Sequence, residues 1–245
     1  MPTQLNQVPE ALHSDFDIVA DSGFSSDPQQ LFLNSLVRDP REIVYTPHNG
    51  GHWLVTSHEM AREILSDAEL FGSFPIGIPA NMEQRPRLIP LESDANEHRR
   101  YRRLLLPIFQ PTAVARLQAG AESLAAEVLD EVLPSGEFDF LWKVAKPISM
   151  GLFVRQLGLE PERLDEFYVW ETGFYRAPTT EERIACGQKI GGYLFEVVTQ
   201  HVDNPKDDIV DMLLNVDVEG EKLSLEEVHA ICYLLFLASI DTVAT

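Results

Sequence analysis

Apolar positions recur at helical spacing over most of this chain. From Pro28 to Asp39, PQQLFLNSLVRD sets Leu31, Phe32, Ser35 and Leu36 at that spacing, and Pro40 ends the run because the residue before a proline leaves the helical region. Ile43 to Thr46 and Trp53 to Thr56 are β-prone and flank Pro47-His48-Asn49-Gly50-Gly51, where Asn-Gly supplies the positive backbone angles of a hairpin turn. Ser57 reads as the N-cap of HEMAREILSDA, with Met60, Ala61, Ile64 and Leu65 on one face. Between Phe71 and Pro90 four prolines and two glycines predict a long loop.

A new helix is expected from Asp94, with Glu97 as its capping partner, ending near Pro107 and Pro111. Val114, Leu117, Ala121, Leu124, Val128 and Val132 form the next stripe, closed by Pro134-Ser135-Gly136. Further helices are predicted over 141–159, 161–175, 181–202 and 206–215. A last one is opened by Ser224 and Glu227 and is apolar nearly all round from Val228 to Ile240, as in a helix through the middle of a protein. The predicted fold is mainly α with a small N-terminal β-hairpin sheet, after an extended lead-in over 1–27. The sequence shows no internal repeat.

At 245 residues and 44% hydrophobic the chain is long enough to bury a core, and it reads as globular. Its net charge of -20 repels nucleic acid and anionic membrane surfaces, so neither is an expected partner. The two cysteines, Cys186 and Cys232, lack metal-ligand or redox spacing and read as small buried residues in a reducing compartment. No signal-peptide pattern is visible at the start. The 228–240 run is shorter than the roughly 20 residues a membrane span needs, so a cytoplasmic location is expected.

Against this acidic background His98, Arg99, Arg100, Arg102 and Arg103 form a basic island. His98 and Arg102 share a helix face, and two such donors suit an anionic group such as a carboxylate; a solvated basic face is the plainer reading. Asp241 and Thr242 follow the apolar run directly. Thr242 can return a hydrogen bond to the Ala238 carbonyl, whereas Asp241 needs a partner so near a buried helix. Asp207, Asp208 and Asp211 read as a capped, solvated helix start rather than a metal cluster. Gly191-Gly192 lacks a dinucleotide-binding context, and His13, His201 and His229 stand alone in the sequence.

Several of these segments together resemble the cytochrome P-450 haem-thiolate monooxygenases, in particular soluble bacterial members and most nearly the camphor-hydroxylating group. Asp94-x-x-Glu97-His98-x-x-x-Arg102 followed by Phe109-x-Pro111 is similar to the family's D-P-P-E-H-x-x-x-R…F-x-P segment, with Ala95 and Asn96 in place of the prolines. Ala238-Ser239-Ile240-Asp241-Thr242 is similar to the A/G-G-x-D/E-T motif of the long central helix, with Ser239 where glycine is usual. Gly51-x-Trp53-x-Val55-Thr56, Asp67-x-x-x-Phe71 and Asp207-Asp208-x-Val210-x-x-Leu213-Leu214 match further family segments in order.

The resemblance implies that 28–245 is the N-terminal part of one monooxygenase domain, an incomplete cytochrome P-450 fold ending in the central long helix. It implies haem b as cofactor, with His98 and Arg102 on a propionate and Ala238 beside them. Asp241 and Thr242 would deliver protons, and electrons from NAD(P)H would arrive through a ferredoxin-type donor docking near Arg99, Arg100 and Arg103. The implied reaction is hydroxylation of a small apolar substrate with O2, with loop 71–90 and the segment 175–180 lining or covering the pocket. The family's E-x-x-R helix and cysteine-bearing loop have no match here, so neither cysteine is an expected axial ligand and the 245 residues alone are expected to be inactive. Ser239 puts a hydroxyl where the family leaves an oxygen groove. The competing expectation is a haem-free all-α ligand-binding or regulatory module.

Overall fold

The computed structural model describes residues 8–19, 27–78, 85–217 and 220–240. The chain divides into two compact units, Met1–Glu83 and Gln84–Thr245.

In the first unit, α1 (Pro28–Phe32) starts on Asp27, whose carboxylate accepts the Gln30 N–H at 2.9 Å, and continues as a π-helical turn, Leu33–Val37. Strands β1 (Ile43–Thr46) and β2 (His52–Val55) pair antiparallel, Ile43 opposite Val55 and Thr46 opposite His52. The turn carries φ of 56° at Asn49, 90° at Gly50 and 80° at Gly51, as the Asn-Gly pair predicts. The second strand begins one residue earlier than its β-prone run, since His52 pairs with Thr46, and ends at Val55, beyond which the Thr56 hydroxyl donates to the Arg41 carbonyl. Phe16, Leu36 and Val44 form a small core with Leu31, Phe32 and Leu54 around it. Helix α2 (His58–Ser66) is capped by Ser57, whose Oγ accepts the Met60 N–H at 3.4 Å, and residues 67–78 form neither helix nor strand.

The second unit is helical: α3 (Ala95–Leu105), α4 (Pro111–Val132), α5 (Lys146–Gln156), α6 (Leu164–Arg176), α7 (Thr180–Asp203), α8 (Ile209–Asn215) and α9 (Leu225–Ile240). The apolar helix expected through the middle is α9. Val228, Ile231, Cys232, Tyr233 and Phe236 are wholly buried, and the helix packs on α5, α7 and α8. Burying side chains of this size is worth about 1.5–3 kcal/mol each, which is what holds the bundle around it. Its start is the expected box: Glu227 Oε2 accepts the Ser224 N–H and Ser224 Oγ accepts the Glu227 N–H. Among the described residues no helix is long and apolar enough to cross a membrane.

Three local expectations change. Asp94 does not cap α3, and the Glu97 carboxylate is held instead by both terminal nitrogens of Arg87, at 2.8 and 2.7 Å. A fork of charge-assisted bonds outcompetes a single bond to a backbone amide. The helix expected from Lys206 starts at Ile209, because Asp208 takes the cap position and its Oδ1 accepts from the Val210 and Asp211 amides. Cys186 is only half-buried, its sulfur lying over Gly173, whereas Cys232 is buried as expected.

Candidate functional site

Helix α3 presents two faces because its apolar residues fall three and four apart. Tyr101, Leu104 and Leu105 are buried, followed by Ile108, while His98, Arg99, Arg102 and Arg103 are exposed. The basic island is not uniform. Arg100 Nη1 donates to Glu227 Oε1 at 2.7 Å, Arg103 Nη2 to Glu221 Oε2 at 3.1 Å, and Arg99 Nη2 to Asn96 Oδ1 at 2.8 Å. His98 and Arg102, one turn apart, have no hydrogen-bond or ion-pair partner among the described residues. The structure thus ties down the arginines that flank the predicted pair and leaves that pair open. Tyr101 adds its hydroxyl to Glu227 Oε1 at 2.7 Å, and burial with this bond pushes the phenol up to about 12. Glu227 itself is driven up by burial, but the bonds from Arg100, Ser224 and Tyr101 outweigh that and hold its carboxyl below the usual range.

The segment that leads into α3 is anchored by ions missed in the sequence. Glu92 is fully buried and takes Arg85 on both oxygens, Nη2 to Oε1 at 2.6 Å and Nη1 to Oε2 at 2.9 Å, with the Leu88 N–H on Oε2 at 2.8 Å. Arg87 donates to the Glu92 carbonyl as well as to Glu97. Nothing periodic marks these residues, so only the fold of the loop brings them together.

At the other end of the site, α9 reaches Ala238, which is exposed, and Ser239, whose Oγ donates to the Leu235 carbonyl at 2.7 Å. Ser149 Oγ of α5 donates to the Ser239 carbonyl at 2.9 Å, and the half-exposed Tyr175 hydroxyl lies 3.5 Å from the Leu237 carbonyl. The predicted Asp241 and Thr242 lie outside the described residues.

The histidines read as isolated all find partners. His201, at the end of α7, is buried with Nε2 2.8 Å from Asp208 Oδ2 and Nδ1 2.7 Å from the Val197 carbonyl. His229 Nε2 meets the Gly191 carbonyl at 2.8 Å, and His13 Nε2 meets the Val8 carbonyl at 3.3 Å. Asp211, expected to be solvated, is buried, and its Oδ2 accepts the Lys206 and Asp207 amides. Ligand-type atoms of His201, Asp208 and Asp211 lie within 4.8 Å of one another, yet capping and ring contacts already use most of them. Burial pushes the Cys232 thiol up to about 12, away from a thiolate.

No family model matches the sequence. It is similar to a probable cytochrome P450 127A1 of Sinorhizobium fredii, 26% identical over 247 residues covering 98% of this chain and 59% of that protein. It is also similar to a steroid C26-monooxygenase of Mycolicibacterium smegmatis, 26% identical over 204 residues, 78% of this chain and 48% of that one. Among solved structures, CYP101J2 aligns with a TM-score of 0.75 at 27% identity, covering 99% of this chain and 61% of that one. CYP101C1 shares the fold with a TM-score of 0.77 at 24% identity. The chain therefore spans less than two thirds of the length of these relatives. A helical unit that carries an exposed His98–Arg102 pair is thus similar to cytochrome P450 proteins and structures over nearly all of its length.

Proposed function

We propose that these residues are part of a haem-dependent monooxygenase that hydroxylates a small apolar substrate. The observation that carries the reading is the selective openness of His98 and Arg102: exposed donors one turn apart, unpartnered, on a helix whose adjacent arginines are bound to side-chain acceptors. That donor set fits a carboxylate, and therefore a haem propionate. Bound haem supplies the dioxygen chemistry. His98 and Arg102 hold and orient the propionate, and the Arg85–Glu92 and Arg87–Glu97 pairs keep the start of α3 in place while they do so. Ala238, on the exposed part of α9, would lie beside the bound cofactor. Asp241 takes up and releases a proton at its carboxylate and Thr242 holds it at its hydroxyl, the usual work of a carboxylate and an alcohol beside a reacting group.

Electrons reach the site from NAD(P)H through an acidic ferredoxin-type donor at the face of Arg99, Arg100 and Arg103. Glu221 and Glu227 already offset part of the charge of Arg100 and Arg103, so Arg99 contributes most to the steering. Neither Cys186 nor Cys232 supplies the axial thiolate, so these residues by themselves are inactive.

Hemin titration followed in the Soret region tests the reading. His98→Ala with Arg102→Ala weakens haem binding by about tenfold or more, and Arg103→Ala has little effect. Saturable binding that ignores all three substitutions, or no binding at all, hands the chain to the haem-free module. A carbon monoxide difference spectrum of the 245 residues loaded with haem lacks the red-shifted thiolate band, and its presence would overturn the exclusion of both cysteines.

A further inference from the structure

The end of α7 and the start of α8 bring three ligand-type side chains together, and two of their atoms are left unsettled by the contacts around them. Asp211 is only 7% exposed. Its Oδ2 accepts the Lys206 and Asp207 amides, while Oδ1 is buried with no hydrogen-bond partner among the described residues. A buried carboxylate oxygen in that state is costly. His201 carries the second sign. Its Nδ1 donates to the Val197 carbonyl at 2.7 Å, which in the neutral ring leaves a lone pair on Nε2. That lone pair faces Asp208 Oδ2 at 2.8 Å, acceptor against acceptor, so a positive centre is called for between them.

We propose that His201, Asp208 and Asp211 bind a divalent transition-metal ion, zinc by the nature of the donors, which clips the end of α7 to the start of α8. One imidazole and two carboxylates, with a fourth position for water, make a zinc donor set.

The surroundings are arranged for such an ion. One ligand atom from each residue lies within 4.8 Å of the other two, so all three stand at most about 2.8 Å from a common point, and zinc bonds of about 2.0–2.2 Å need only small side-chain shifts. The Val197 carbonyl fixes the ring's tautomer from outside, as an outer partner of a metal-bound histidine does. The Val210 and Asp211 amides hold Asp208 Oδ1, leaving Oδ2 to bind. Gly158 closes one side with backbone alone: a Cβ there would strike Asp208 Oδ2 and lie 3.3 Å from His201 Nε2. The nearby cations are turned elsewhere. Exposed Lys206 donates through Nζ to the Gly158 carbonyl at 3.1 Å, and Arg155 pairs with Glu127 at 3.2 Å. A divalent ion cancels both carboxylates at once. Asp208 and Asp211 also line a cavity of about 530 Å³ with Ile108, Leu117 and Met212, which admits the ion and the water. None of this depends on the haem reading.

The test uses the 245-residue protein stripped of metal by a chelator, with zinc chloride and cobalt chloride as probes. Zinc is expected to bind one to one with micromolar or tighter affinity and to raise the thermal midpoint by several degrees at saturation. Cobalt is expected to show the intense visible bands of a four-coordinate ion, and zinc to abolish them. Proton–nitrogen correlation spectra of the imidazole rings are expected to shift Nε2 of His201 on adding zinc, with Nδ1 keeping its proton. Asp211→Asn, which keeps an oxygen for the two amides, is expected to weaken zinc by more than the roughly 10–100-fold that loss of an outer partner costs. Exposed His58→Ala is expected to change nothing. Absence of saturable binding at micromolar zinc overturns the proposal, as does a zinc response that survives Asp211→Asn or disappears in His58→Ala. So do spectra in which both His201 nitrogens carry protons and ignore zinc, the centre facing Asp208 then being a proton. If Asp211→Asn fails to fold, the cobalt and nitrogen spectra of the parent protein decide.

Discussion

His201 Nε2 lies 2.8 Å from Asp208 Oδ2, while the other ring nitrogen meets the Val197 carbonyl, so a buried imidazole joins the end of α7 to the cap of α8. Gly158, with φ at +61°, runs beneath this contact, and a Cβ there would strike Asp208 Oδ2. Asp208→Ala removes the cap and the ring's partner together and is expected to cost about 3 kcal/mol. Asp208→Asn, which keeps a capping oxygen, is expected to cost less. Urea unfolding midpoints rank the two, with Gly158→Ala expected near the more damaging one.

The buried Arg85–Glu92 pair makes a second prediction. Glu92→Gln strands Arg85, whose side chain is only 8% exposed, and is expected to destabilise by about 3–5 kcal/mol. Arg85→Met combined with Glu92→Leu is expected to recover much of that loss, because no unpaired charge is left buried. Denaturant titration of Arg85→Met, Glu92→Leu and the double variant measures the coupling.

Acid sensitivity follows from His229. Burial holds its imidazole below the ordinary 6.5, with the Gly191 carbonyl pulling the other way. The unfolded chain therefore binds the proton first, so this contribution is whole above the unfolded value and drains away as pH falls through it towards the folded one. Thermal midpoints are expected to fall between about pH 7.5 and pH 5.5, less steeply in His229→Gln, which keeps a donor for Gly191. Glu227, held below the usual carboxylate range, adds its own loss of stability only at lower pH, as it protonates.

The cysteines should react in sequence. A thiol reagent is expected to label half-buried Cys186 in the native protein and to reach Cys232 only on unfolding, since that thiol is enclosed and pushed up to about 12. Mass spectrometry of the peptides carrying each cysteine, before and after denaturation, checks the order.

The hairpin turn at Asn49-Gly50, the cap at Ser57, the box at Ser224 and Glu227 and the burial of α9 could all be read directly from the sequence. So could the pairing of His98 and Arg102 on one face of α3. Each depends on residues within a turn or two of one another, where spacing and side-chain chemistry decide. Glu97 shows the limit: it stands where a cap partner belongs, but Arg87 claims it from a loop whose path no periodicity reveals.

Local pattern, then, determined the helical class, the hairpin, the central apolar helix and the basic island, because hydrophobic period and capping act over a few bonds. Only the tertiary structure decided which members of that island stay open, because Glu221 and Glu227 reach Arg103 and Arg100 from more than a hundred residues away. It likewise decided that His201 has a carboxylate beside it and that Ser149 holds the Ser239 carbonyl. Such contacts are set by how whole helices dock, and docking depends on the shape and burial of all their side chains at once.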